Sequence, residues 1–330
     1  MSNQGQKGGR VGGEKATFLI CYSRFISVFL TLVGKLVPLY VVIGLGWWAG
    51  RRLKVNKESV ARILIFLLSP AVVFHGVLAL ELKPSLLLLP LIFFCICIVT
   101  SLLAYRVASF KWSDAHRNIL AFTCGTGNTG YFGLPVAIAI FGEKSVGLMV
   151  LGSLGALLYE SSLGFFLVAR GHHTAKESVI RVLKLPVLYA FVLAVIANKT
   201  SLILPSAVND VFVSARGAYS ILGSLMVGLG LASVDRIRID RVFTAIAFGF
   251  KFVLWPAIAL AVVVADRAWW GLFVEDVHQV LLLLAIVPLA ANTVAFATEL
   301  KTEPAKAATA VFLSTAFALF YIPAMATLLF

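Results

Sequence analysis

The chain has 330 residues, 60% of them hydrophobic and only 13% charged, against roughly 45–50% and 25% in a soluble domain. That balance excludes an ordinary soluble protein, and run after run of about 20 apolar residues matches a hydrocarbon core roughly 30 Å thick. The net charge of +13 does not indicate nucleic acid, because the basic residues lie in short gaps between the apolar runs, where they set topology and meet anionic membrane lipid.

Residues 1–29 open with a Gly-, Gln- and Lys-rich stretch that predicts a disordered or interfacial segment. Within it, residues 18–33 are apolar apart from Arg24 and either lengthen the first span or lie at the interface. No A-x-A-like cleavage site precedes the first full span, so a signal peptide is not expected.

Ten spans then follow, at about 30–50, 60–80, 86–108, 118–141, 145–168, 185–204, 211–234, 243–265, 278–298 and 305–329. The runs lack the period-two alternation of a membrane β-barrel, so the expected fold is an all-α polytopic membrane protein. Lys and Arg concentrate in the gaps after spans one, three, five, seven and nine. The positive-inside rule places those gaps in the cytoplasm and both termini outside the cell or inner membrane. Lys7, Arg10 and Lys15 in the N-terminal segment argue against that orientation.

The two halves of the chain echo each other. Lys35-Leu-Val-Pro-Leu-Tyr40 returns as Lys184-Leu-Pro-Val-Leu-Tyr189, Lys144 and Tyr159 as Lys306 and Tyr321, and Asn128-Thr129 as Asn292-Thr293, in the same order. The reading is a first five-helix repeat over 30–168, a cytoplasmic linker over 169–184, and a second repeat over 185–330. Five is odd, so the halves insert with opposite orientation, an inverted-topology repeat.

Spans four and nine carry defects. Gly125, Gly127, Gly130 and Gly133 crowd together before Pro135, with Asn128 and Thr129 among them; Pro288 precedes Asn292 and Thr293. Glycine and proline interrupt helices, and a polar amide at membrane depth is tolerated only where it lines a site or meets protein partners. Two such breaks crossing near the midplane would present helix ends and free amides to an anionic solute. Gly125-Thr-Gly-Asn-Thr-Gly130 also fits G-x-G-x-x-G, but without a preceding strand it is no dinucleotide site.

Ionisable groups inside spans are few: Glu160 beside Tyr159, Lys251 before Pro256, and His75 after Pro70. Each is a candidate for coupling or charge compensation; Glu160 and Lys251 would pair, or one would carry a proton, while Lys251 has the alternative of snorkelling to the cytoplasmic interface. Glu81, Asp235 and Glu299 fall at span ends and read as solvated. Cys21, Cys95, Cys97 and Cys124 have neither zinc nor disulfide spacing. Glu275-Asp-Val-His278 offers too few zinc ligands for a catalytic site, and His172-His173 reads as solvated linker. No metal site, no cofactor, no enzymatic motif and no ATP-binding loop is expected. Asn198-Lys-Thr200 fits the glycosylation acceptor pattern.

Gly127-Asn-Thr-Gly-Tyr-Phe-Gly-Leu-Pro135 with Phe141-Gly142 resembles the fourth span of the auxin efflux carrier family. Pro288-Leu-Ala-Ala-Asn-Thr-Val-Ala-Phe-Ala-Thr-Glu-Leu300 resembles its ninth, Arg62 to Phe74 its second, and Leu45 to Arg52 the end of its first. That resemblance implies a ten-helix secondary carrier, similar in fold to bile acid and arsenite transporters, that moves organic anions such as dicarboxylates or auxin. It implies a scaffold of spans one, two, six and seven and a transport domain that moves like an elevator. It maps Asn128, Pro135, Pro288 and Asn292 onto the crossover region and makes a homodimer plausible; the expected solute site is Gly127, Asn128, Thr129, Gly130, Pro135, Pro288, Ala291, Asn292 and Thr293. Plant members have proline where Gly127 stands and a long loop where this linker is short, which points to a compact bacterial-type member. Coupling to protons or sodium stays open, as does a channel built on the same broken helices.

Overall fold

The computed structural model describes residues 8–113, 115–168, 175–232, 239–299 and 302–330. All regular structure among them is helical. Helix α1 begins at Gly8, so residues 8–29 are helical rather than disordered; the apolar run from Phe18 onward is continuous with the first span, and helix propagates through it more cheaply than it nucleates. Among the described residues, seven helices are long and apolar enough to cross a membrane: Phe25–Leu53 in α1, α2 Lys57–Leu78, α3 Pro84–Ser109, α6 Glu143–Val168, α9 Ser206–Ala232, α10 Arg241–Trp270 and α13 Pro304–Leu329. A shorter apolar helix, α8, spans Pro186–Lys199. The remaining apolar segments are interrupted, as α4 Ala115–Cys124 and α5 Leu134–Phe141, and as α11 Glu275–Ile286 and α12 Asn292–Glu299. The short helix α7, Ala175–Leu183, lies in the expected linker and exposes Val179, Ile180 and Leu183.

Local chemistry sets the boundaries. Asn56 caps α2 by accepting from the Glu58 and Ser59 amides at 2.8 and 3.0 Å, and Asp240 caps α10 through Val242 and Phe243; such caps satisfy amides that have no partner within the helix. Prolines occupy the first turns of α3, α8 and α13, where a missing N–H costs nothing. Within α10, Pro256 leaves the carbonyl four residues earlier without its usual donor. The helix widens there over Phe250–Leu254, and the Tyr321 hydroxyl donates to the Phe252 carbonyl at 2.6 Å.

Helix α1 packs along α9, and α2 along α8 and α9; α3 packs along α4 and α6. The α1–α9 seam is a backbone contact: a β-carbon on Gly228 would strike the Ile43 carbonyl, and one on Gly46 the Leu225 carbonyl. Without a hydrophobic drive between helices in lipid, small residues at such seams let dispersion hold them together.

One expectation is corrected. The Asn198 amide is not an accessible glycan acceptor: it is half-buried and donates to the carbonyls of Leu78 and Leu80 at 3.0 and 2.7 Å, tying α8 to the end of α2. The Nε2 of His75 is 2.9 Å from Asn209 Oδ1 and its ring stacks on Phe212, joining α2 to α9. Arg170, His172, His173 and Asp235 lie outside the described residues.

Candidate functional site

The first interruption runs from Gly125 to Asn128. Helix α4 ends at Cys124, and its last carbonyls find donors nearby: Trp255 Nε1 donates to the Cys124 carbonyl at 2.8 Å and Thr126 Oγ1 to the Thr123 carbonyl at 3.0 Å. The chain re-enters helix through a widened turn at Thr129–Gly133, capped by Asn128, whose Oδ1 accepts from the Phe132 amide at 3.2 Å. The second half-helix thus starts ahead of Pro135, which sits in the first turn of α5. The second interruption covers Val287 to Ala291, with Leu289 N donating to Ser314 Oγ at 3.2 Å.

These two breaks meet. The Asn128 amide donates to the Pro288 carbonyl at 2.8 Å, and the hydroxyls of Thr126 and Thr293 lie 3.1 Å apart. Two side chains approach the first break closely: a β-carbon on Gly127 would stand 2.6 Å from Lys251 Nζ, and one on Gly130 would stand 2.6 Å from the Tyr219 hydroxyl.

Beside the breaks lies a cavity of about 280 Å³. Gly127, Asn128, Thr129, Gly130, Ala291 and Asn292 line it from the breaks, Glu160 and Ser161 from α6, Ser69 and Val72 from α2, Pro186 from α8, and Tyr219 from α9. Much of the remaining wall is apolar, including Leu134, Val150, Leu154 and Phe296. Asn128 Nδ2 is buried and has no hydrogen-bond partner among the described residues. Asn292 Nδ2 donates to Glu160 Oε2 at 3.0 Å.

Residues 31–179 match the family model described as "Membrane transport protein". Over 280 residues the chain is 26% identical to an uncharacterized transporter of Methanocaldococcus jannaschii, covering 81% of this chain and 89% of that relative. Over residues 31–179 the chain is thus similar to a family of membrane transport proteins. Its long apolar helices fit a multi-pass membrane protein.

The other predicted residues fall into distinct places. Pro135, Pro288 and Thr293 shape the breaks but are not part of the cavity wall. Tyr159 is fully buried behind it, donating to Ser101 Oγ at 2.7 Å. Lys251 does not snorkel: it is wholly buried, its Nζ stands 3.4 Å from the centroid of the Trp255 ring, and it has no hydrogen-bond acceptor among the described residues. Nor does it pair with Glu160. The Trp255 ring at i+4 was the sequence signal for this placement, since residues so spaced share a helix face.

Sequence reasoning missed Tyr131, Tyr219, Ser69, Ser153 and Ser161, all on the cavity wall. Tyr131 stands next to Gly130 and was findable; Tyr219 comes from a distant helix and carries no local mark. Glu275-Asp-Val-His278 proved structural. His278 Nε2 is 2.9 Å from the buried Asp266 carboxylate, and Arg267 grips Glu275, holding that exposed carboxyl below its ordinary range.

Proposed function

We propose that this protein is a membrane transporter of the auxin efflux carrier type, a secondary carrier that exports a small organic anion bound between the two interrupted helices. The observation that carries the reading is Asn128 Nδ2, a buried donor with no partner among the described residues, on the wall of the cavity where the breaks meet. A buried donor left unsatisfied costs about 1–3 kcal/mol, a cost that a solute carboxylate would remove. Asn128, Thr129 and Asn292 would hold the carboxylate, with Gly127, Gly130 and Ala291 allowing close approach and Lys251 adding positive charge from behind Gly127. A wall with polar groups at the breaks and apolar residues elsewhere favours an acid with one carboxylate and an apolar body over a dicarboxylate.

On this reading the interrupted pairs α4–α5 and α11–α12 are spans four and nine of ten, arranged as a 5+5 inverted repeat with both termini outside. The bundle bearing the breaks slides against α1, α2, α8 and α9, which supports elevator-type alternating access; a homodimer would anchor the scaffold. What supports the sliding surface is that cavity-wall residues come from both groups of helices.

Flux of carboxylates into proteoliposomes tests it. Asn128→Ala and Asn292→Ala should abolish saturable counterflow while both variants still insert and fold. Undiminished flux in both would remove the site, and single-channel currents in place of counterflow would make the protein a pore.

A further inference from the structure

We propose that Glu160 is a proton-binding site linked to the solute site, so that the carrier moves one anion together with one proton. The inference rests on the carboxylate reading above and adds its coupling ion.

Among the described residues, Glu160 is the only Asp or Glu on the cavity wall, and no Lys, Arg or His lines it. Its side chain is buried, on a widened turn of α6 at Glu160–Gly164, a distortion that recurs at functional positions. Its described hydrogen bond comes from Asn292 Nδ2, a neutral donor. The solute's carboxylate at Asn128 and an ionised Glu160 would therefore share one enclosed, largely apolar space without a cation on its wall. Like charges so placed do not both stay ionised, and a lone carboxylate removed from water costs several kcal/mol unless compensated.

Binding a proton at Glu160 resolves both problems. The carboxyl becomes a hydroxyl donor that can point to the solute, while its other oxygen still accepts from Asn292. The proton comes from the water on the loading side and returns to water with the anion on the release side, so the pair crosses without net charge. Other titratable groups near Glu160 do not offer this. Tyr131 and Tyr219 share the cavity wall, Tyr159 precedes it on α6, and Cys97 stands on α3; phenols and thiols are ordinarily neutral near pH 7. Lys251 lies against Gly127 without an acceptor. Helix α7, which packs on the widened turn, carries Lys176, exposed to the outside.

Calorimetric binding of benzoate to the purified carrier between pH 5.5 and 8.5 is the test, repeated in buffers of different ionisation enthalpy to count protons. The unaltered protein should lose affinity by up to tenfold per pH unit and take up one proton per benzoate. Glu160→Gln, which preserves the acceptor for Asn292, should bind with no pH slope and no proton uptake, and Glu160→Asp should restore both. A pH slope and proton uptake that persist in Glu160→Gln, or that are missing from the unaltered protein, overturn the proposal while leaving the carboxylate site standing. If the unaltered protein binds neither benzoate nor malonate at any pH, the carboxylate reading falls and the proposal with it.

Discussion

The backbone amide of Asn128 donates to the carbonyl of Pro288 across 2.8 Å. Both groups are left over from interrupted helices, and each would otherwise be stranded where water is scarce. Non-helical backbone is tolerated at membrane depth only when it is buried in protein or lines a cavity; here each break satisfies the other. The same Asn128 then caps the next half-helix with its side-chain oxygen, which leaves only Nδ2 without a partner. One residue thus joins the breaks, restarts a helix and keeps a donor available.

Substitutions at Asn128 should separate those roles. Asn128→Ser keeps a capping oxygen and discards Nδ2, so stability should change by less than about 1 kcal/mol. Carboxylate affinity should fall at least tenfold, because a hydrogen bond to a charged group contributes about 1.5–3 kcal/mol. Asn128→Ala should show the same affinity loss plus a further cost of about 0.5–2 kcal/mol from the missing cap. Thermal unfolding in detergent alongside binding calorimetry checks the split.

Lys251 should be dispensable for folding. A buried ammonium without an acceptor carries a desolvation cost of several kcal/mol, while its contact with the Trp255 ring returns about 2 kcal/mol at most. Lys251→Met keeps the volume and gains a sulfur–aromatic contact, so its melting temperature should equal or exceed that of the unaltered protein. If the charge serves the solute, the same variant binds carboxylates more weakly. A clear drop in melting temperature would instead make Lys251 a net stabilising residue.

The positions of the breaks were legible because they are local: glycine, proline and asparagine clustered inside apolar runs leave the backbone few alternatives. The long apolar helices were legible for the same reason, since length and apolarity set them. What sequence could not give were pairings between distant segments. Asn292 with Glu160, Asn198 with the end of α2, and His75 with Asn209 each join residues more than one helix apart. No periodicity encodes such pairs. The Asn128 cap starts the second half-helix ahead of Pro135, a choice between cap and proline that only the folded geometry decides.

Asp240 gives a pH test outside the membrane. Its partial burial pushes its carboxyl up, but the Phe243 amide, Lys306 at 3.3 Å and the Val242 amide hold it below its ordinary value. A depressed carboxylate contributes its stability above the unfolded-state value near 3.9 and loses it as pH falls through the folded value. Asp240→Asn retains the cap and loses the charge, so it should be less stable by about 0.2–1 kcal/mol from pH 8 down to about 5. The gap should close below about pH 4. A gap that widens on acidification would contradict the ion pair with Lys306.

Gly130 and Tyr219 should report on movement between the two groups of helices. A β-carbon at Gly130 would stand 2.6 Å from the Tyr219 hydroxyl, while the next ring atom is 3.8 Å away. The obstruction is therefore a single oxygen. Gly130→Ala should fold, because Tyr219 can withdraw, yet it should lower carboxylate flux at least tenfold by wedging the break away from α9. Tyr219→Phe removes that oxygen and should restore flux in the double variant to near that of Tyr219→Phe alone. Coupled sites of this kind give interaction energies of about 0.5–3 kcal/mol in a double-mutant cycle. Additive losses would mean that Gly130 matters for its own backbone and not for the approach of α9.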